Sequence, residues 1–387
     1  MYDCIIVGAG YAGAISARRF SEEGNMKVLV IDKRTHIAGN MYDDYDAAGI
    51  LVHRYGPHIP VMNEERVFRF LSRFTDWMPY HHHVLAEIDK KEVPLPINLT
   101  AIDLLYPIDE AIALKARLIE EYGFGQNIPI LQLRDSDDPM IHDFAEMVFE
   151  KVFLHYTMKM WGLSPEEIDP SVTGRIPVRL SYDDRHFLHT YQVMPTNGFT
   201  KLFERMLNHP NIAIQLNTSA SEVLSIDEKN HQILYRGEPF YGKVIYTGAL
   251  DELFAYRFGA LPYRSLSFDF ETHPVEHVQD SSVLNWPDSR PQTRRTEMKR
   301  LTGQIKQGVT TTIVETPGAH DLQSPIFSEP VYPINREDCN ALYQKYLELA
   351  RSIPNLIPVG RLADYQYYNM EAVILRTLKL TDEELEK

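Results

Sequence analysis

At 387 residues, with 44% hydrophobic and 24% charged side chains, the chain is too long for one minimal domain and has the balance of a folded globular protein. Its net charge of -15 excludes a general nucleic-acid surface, because backbone binding needs clustered Lys and Arg that release counterions. Two cysteines exclude a disulfide framework; with no signal-like opening and no apolar run of roughly 18 residues to span a membrane, the expected location is the cytoplasm.

The first predicted element is a strand at residues 4–7 (CIIV). The run GAGYAG, a helix reaching about Glu23 and a second apolar strand at residues 28–31 complete a βαβ unit. Gly8, Gly10 and Gly13 have the GxGxxG spacing, in which the first glycine permits a tight turn, the second lets backbone approach a pyrophosphate and the third allows close helix packing. The helix N-terminus then offers free N–H groups and a positive dipole end to phosphate. Asp32 closes the second strand nineteen residues after Gly13, where a carboxylate accepts hydrogen bonds from an adenosine ribose. FAD and a nicotinamide dinucleotide both suit this fingerprint, and the following residues favour FAD. Lys33 opens a loop (KRTHIAGN) ending in a Gly39-Asn40 turn that returns beneath the pyrophosphate, and the distant stretch VGRLADY has the form of a second flavin-contact segment, with Arg361 available to the pyrophosphate and Met370 beyond it.

The three consecutive histidines His81, His82 and His83 cannot readily converge on one ion, and no Cys or carboxylate spacing completes a zinc site, so no metal is expected. Residues 98–165 read as a helical bundle. Their segment 101–150 carries eleven acidic and three basic side chains, read as a solvated outer surface. Residues 166–211 and 263–349 read as a mixed or antiparallel sheet domain. Residues 1–97, 212–262 and 350–387 form a discontinuous FAD-binding domain. The fold class is therefore α/β: a Rossmann-like FAD-binding domain with a helical-bundle insertion and a sheet domain.

Within YTMKMWG, Tyr156 and Trp161 stand five apart near a helix end and offer flat faces to a base, a contact worth roughly 1–3 kcal/mol where bases stack on aromatic side chains. Arg175, Arg179 and Arg294 have the fork-shaped head suited to a diphosphate. At this point the chain resembles the bacterial UDP-galactopyranose mutase family over nearly its whole length. The matching stretches are GAGYAG, VLVIDKRTHIAGN, VHRYGPHI, PLPINL, YTMKMWG, RIPVRLSYDDR, YQVMP, VIYTG, LPYRSL and GRLADYQYYNM.

The resemblance implies a redox-neutral isomerase that needs reduced FAD. Flavin N5 attacks the anomeric carbon of a nucleotide sugar, UDP-galactopyranose first among candidates, to give the furanose. It implies that Tyr156 and Trp161 flank the uracil, that Arg175, on a mobile loop near residues 170–177, and Arg294 hold the diphosphate as catalytic groups, and that His58 lies near the flavin. Tyr191, Tyr367 and Asn369 complete the implied substrate contacts, and a homodimer is compatible with it. Departures from the family pattern cluster at the substrate: Pro60-Val61 after GPHI, His186 after DDR, Thr316 for a tyrosine, Asn369 for an aspartate and Met298 for a histidine. They point to a mutase for another nucleotide sugar, of the dTDP-6-deoxyhexose or UDP-N-acetylgalactosamine type, as the alternative. An FAD-dependent oxidoreductase of the amine-oxidase kind and a non-catalytic flavoprotein are more distant readings.

Overall fold

The computed structural model describes residues 2–162, 177–227 and 229–387. The strand Cys4–Val7 is central in a five-stranded, all-parallel sheet ordered Ile212–Gln215, Val28–Ile31, Cys4–Val7, Lys243–Tyr246, Leu356–Pro358. Both faces of such a sheet must be covered, which its unbroken apolar runs already require. Side-chain alternation sends Cys4, Ile6, Val28 and Val30 into one core with Ile15 and Phe20 of the helix Tyr11–Glu22. It sends Ile5, Leu29, Ile31 and Val244 into another with Tyr346 and Ala350 of the helix Glu337–Arg351. The strand order reverses about Cys4–Val7, and the crevice outside the carboxyl ends of strands at such a point is where open α/β sheets bind ligands.

The helix Met370–Leu385 closes the first face. Arg19, only 8% exposed, holds it by donating to the Leu378 carbonyl (3.0 Å) and the Thr381 hydroxyl (3.0 Å) and by pairing with Asp382 (2.5 Å). The helix Gly198–Leu207 joins the same core through Phe199 and Phe203, although the sequence assigns residues 166–211 to the sheet domain. Its strongly one-sided apolar face is satisfied by the first helix rather than by the sheet that precedes it.

The helical insertion contains Leu99–Leu105, Ile108–Tyr122, Ile130–Arg134 and Pro139–Val148, followed by a π-helical turn Phe149–Leu154 and the helix His155–Trp161. Its starts are written in side chains: Asn98 Oδ1 accepts from the Ala101 amide (2.9 Å), and Asp138 accepts from the Met140 amide (2.9 Å) with Pro139 at the first helical position. Leu114, Leu118, Ile141 and Phe144 form its core.

A seven-stranded mixed sheet makes the second layer, ordered Tyr332–Pro333, Tyr263–His273, Thr310–Ala319, Arg294–Glu297, Val283–Asn285, Val84–Ile88, Lys91–Leu95. Its last two strands correct the domain boundary drawn at residue 97, because they belong to this sheet and not to the dinucleotide unit. They form a hairpin turning at Asp89 (φ 50°) and Lys90 (φ 64°), and Val84 pairs in parallel with Val283. Val84, Ala86 and Leu95 share a core with the helical insertion, which therefore packs on this edge.

Candidate active site

The carboxyl ends of the central strands open on a cleft of about 230 Å³ lined by Gly8, Gly10, Asp32, Lys33, Gly39, Asn40, Arg361 and Met370. Gly13 lies behind it, because a Cβ at Gly13 would stand 1.8 Å from the Gly8 carbonyl oxygen and one at Gly8 2.0 Å from Thr247 Oγ1. These two glycines serve the packing of the protein itself. Gly10 differs: its φ is an ordinary -78°, and the nearest atom a Cβ would meet is Gly39 Cα at 3.8 Å. Nothing in the protein requires a glycine there, whereas a dinucleotide lying over the turn does, so the cradle fits such a group.

Asp32 lines the cleft, but its oxygens also tie the turn together, Oδ2 accepting from the Ala9 amide (2.8 Å) and Oδ1 from the Arg34 amide (2.9 Å). Arg361 donates to the Tyr368 carbonyl (3.0 Å) and lies 5.3 Å over the Tyr332 ring; among the described residues it has no carboxylate partner, which suits it to an anion. Residues that sequence reasoning missed complete the cleft: Thr218, Thr247, Arg34 and Glu329. Glu329 bridges Arg34 (3.1 Å) and Lys33 (3.6 Å) from the far side. Thr247 sits just past the apolar run of VIYTG, a signal that was readable; Glu329 has none.

Arg361, at the edge of the cleft, begins an aromatic row. Tyr332 meets Tyr367 (5.4 Å between ring centroids), and Tyr367 meets Trp161 edge-on (6.4 Å, 62°). Arg294 lies beside this row, its Nε (3.1 Å) and Nη2 (2.8 Å) both on Glu315 Oε2 of the adjacent strand, in direct register. Burial works against the Arg294 charge, and the Glu315 carboxylate outweighs it, so the guanidinium stays ionised. Tyr156 has its pKa raised by burial, with Arg294 acting against the rise.

His58 lies near both Arg361 and Arg294. Its amide donates to His53 Nδ1 (3.2 Å), its own Nδ1 is buried without a partner, and burial holds its pKa well below the usual histidine value, with His53 and Arg361 adding to the effect. It is neutral. A Cβ on Gly56, two residues before it, would come within 3.3 Å of Glu315 Oε2, so this loop and the Arg294 pair are neighbours.

The structure thus gathers Tyr156, Trp161, Arg294, Tyr367, Arg361 and His58. It does not bring in Tyr191, whose ring stacks on Phe68 (4.1 Å, 7°) beside the short sheet that Tyr191–Pro195 forms with Val61–Met62 and Trp77–Pro79. Asn369 borders the row, but its Oδ1 accepts from the Ala372 amide (2.8 Å) as the cap of the last helix, a role an aspartate would fill equally. Arg179 clamps its own turn through the Asp183 (3.0 Å) and Arg185 (2.5 Å) carbonyls. Arg175 and most of the loop at residues 170–177 lie outside the described residues. Among the described residues no set of three His, Cys, Asp or Glu side chains is grouped to hold a metal, and no helix is long and apolar enough to cross a membrane.

A Rossmann-like dinucleotide unit whose cleft is flanked, past Arg361, by a row of aromatic rings with Arg294 beside it defines a nucleotide-using enzyme of the flavoprotein fold. The chain belongs to the UDP-galactopyranose mutase family: residues 151–367 match the family profile of that description, and residues 6–74 match that of an NAD(P)-binding Rossmann-like domain. The expected class, an isomerase, is the family's, and the Rossmann-like unit in this setting implies a flavin cofactor. UDP-galactopyranose mutase of Mycoplasma pneumoniae is 35% identical, covering 100% of this chain and 96% of its own. dTDP-fucopyranose mutase of Escherichia coli is 33% identical, covering 98% and 97%. A crystal structure of reduced UDP-galactopyranose mutase has the same fold, with a TM-score of 0.71 at 16% identity over 100% of this chain and 94% of that one.

Proposed function

We propose that the chain interconverts the pyranose and furanose forms of a nucleotide sugar with FAD held in its reduced form, UDP-galactopyranose being the first candidate. The observation that carries this reading is the continuous path from Trp161 through Tyr367 and Tyr332 to Arg361, which joins a base-stacking end to the cofactor cleft with Arg294 alongside. Bound reduced flavin supplies the nucleophilic nitrogen for a redox-neutral exchange at the anomeric carbon. Tyr156 and Trp161 stack the base, and Arg294, aimed by Glu315, stabilises the departing diphosphate, with Arg175 as a second cation. Neutral His58, with a free Nδ1, holds or passes the hydroxyl proton that ring opening and closing must move. No nucleophile from the protein is needed.

A dTDP-6-deoxyhexose is the second reading. It is favoured by the dTDP-fucopyranose mutase relative and by Thr316 and His186 standing where the family pattern has other side chains. The test is to incubate dithionite-reduced protein with UDP-galactose, dTDP-6-deoxyhexoses and UDP-N-acetylgalactosamine and to separate ring isomers by chromatography. Furanose formation only after reduction supports the mutase. Steady oxygen consumption with an amine and no ring isomer would replace it with an oxidase, and the substrate of highest kcat/KM decides among the three kinds of nucleotide sugar.

A further inference from the structure

The helix His155–Trp161 carries both rings assigned to the base, yet it is fastened to the phosphate-facing sheet by other side chains. Lys159 Nζ donates to the carbonyl oxygens of Trp286 (2.5 Å) and Gln292 (2.8 Å), which bracket the loop leading into the Arg294 strand. From the opposite side Arg264, 8% exposed, donates through Nε to the Met160 carbonyl (2.7 Å) and through Nη2 to the Lys159 carbonyl (2.8 Å), the free acceptors at the helix end. Gly162 follows at φ +66°, and a Cβ there would stand 2.7 Å from Arg264 Nη1, so the guanidinium fills the space of a side chain. Arg264 itself pairs in register with Tyr332, a member of the aromatic row. Among the described residues neither cation forms an ion pair; their partners are carbonyls. Cations taken partly out of water without counter-ions are costly, which makes a stability role for them a poor account.

We propose that Lys159 and Arg264 are positioning residues that set the span between the base-stacking pair Tyr156 and Trp161 and the diphosphate-facing group Arg294, Tyr332 and Tyr367. This rests on the reading of the site as one for a nucleoside diphosphate. A ligand with two recognised ends gains from holding both only when the two subsites stand at its own length. With one clamp to the Arg294 loop and one to the strand beside Tyr332, the helix end cannot slide or turn without breaking four hydrogen bonds.

The Lys159 clamp is also sensitive to pH. Burial pushes its pKa down to about 8; Asp288 supports the charge and Arg290 opposes it. Those two are bound to each other (2.9 and 2.8 Å). As pH rises through about 8 the amine loses its charge and one donor, and its hold on the two carbonyls weakens.

Calorimetric titration of the FAD-loaded protein with UDP and with uridine tests this. Lys159→Met is expected to weaken UDP by about tenfold and uridine by less than about twofold, since only the two-ended ligand depends on the span. Lys159→Arg should restore UDP affinity. Wild-type affinity for UDP should fall above pH 8 while that of Lys159→Arg stays level. Arg264→Lys, which cannot reach both carbonyls, should repeat the selective loss of UDP in a folded protein. Equal weakening of UDP and uridine, or unchanged UDP affinity in Lys159→Met and Arg264→Lys, would overturn the clamp alone. No binding of UDP or dTDP by the wild type would instead remove the nucleotide reading beneath it.

Discussion

Gly10→Ala separates a glycine kept for a ligand from one kept for the fold. In the apo protein the new Cβ would meet nothing closer than Gly39 Cα at 3.8 Å, and φ of -78° is open to alanine. Gly10 is the cap residue of the first helix and makes no side-chain bond, so alanine costs roughly 0.5–1 kcal/mol as a poorer cap and regains about 0.4–1 kcal/mol from a less flexible unfolded chain. Apo stability should therefore change by less than about 1 kcal/mol. The methyl group intrudes where a pyrophosphate lies over the turn, and overpacking of this kind costs about 1–3 kcal/mol, or roughly 5- to 150-fold in cofactor affinity. Gly13→Ala is the contrast, since its Cβ would stand 1.8 Å from the Gly8 carbonyl oxygen and the fold itself should fail. The assay is thermal melting of apo protein beside FAD titration followed by flavin absorbance. Wild-type FAD affinity in Gly10→Ala, or an apo protein as damaged as Gly13→Ala, would refute the reasoning.

Arg294→Lys should lower turnover by on the order of 10²–10³ with little change in melting, because the charge stays while the aimed fork is lost. Arg294→Ala should in addition lose about 3–5 kcal/mol, since Glu315, 1% exposed, is left buried without its cation; a ring-isomer assay beside thermal melts separates the two effects. His53 and His186 are pushed down to about 4, chiefly by burial. A histidine with a lowered folded pKa gives stability that is present above its unfolded value near 6.5 and lost as pH falls toward 4. His186→Phe should therefore flatten the melting-versus-pH curve over that range by up to about 1.4 kcal/mol per pH unit, and an unchanged slope would show that His186 titrates normally. Glu329→Gln should speed FAD dissociation by at most about fivefold at low salt, with the difference vanishing at high salt, because the bridge to Lys33 and Arg34 is half exposed; a salt-independent rate would refute it.

What the sequence exposed best was local in the chain. GAGYAG and VLVID carry strand, turn, helix and acid within a few turns of each other, and the cleft lies where they put it. The hairpin at residues 84–95 has no clean alternation (VLAEI and KEVPL), and its partner strand Val283–Asn285 lies far along the chain, so nothing local names it. Glu315, only 21 residues after Arg294, is hidden by something else, since the pair is made only when two neighbouring strands come into register. Tyr191 and Asn369 are hard to read for a different reason. A tyrosine that stacks on Phe68 and an asparagine that caps a helix use the chemistry that would also suit a ligand, and only the neighbours tell the uses apart.

The cofactor cleft has an order of assembly written into it. Its first walls, Gly8 to Asn40, leave the ribosome early, but Thr218, Thr247, Arg361 and Met370 come from segments made successively later, and Arg19 waits for Thr381 and Asp382. The helix Tyr11–Glu22 covers one face of Cys4–Val7 and Val28–Ile31 as soon as it is made, but the face of Ile5, Leu29 and Ile31 stays uncovered until the helix Glu337–Arg351 docks, which exposes the growing chain to aggregation. A ligand in the cleft can therefore touch all of its walls only once the segment carrying Arg361 and Met370 has been made, so the late part of the chain completes what the first forty residues begin.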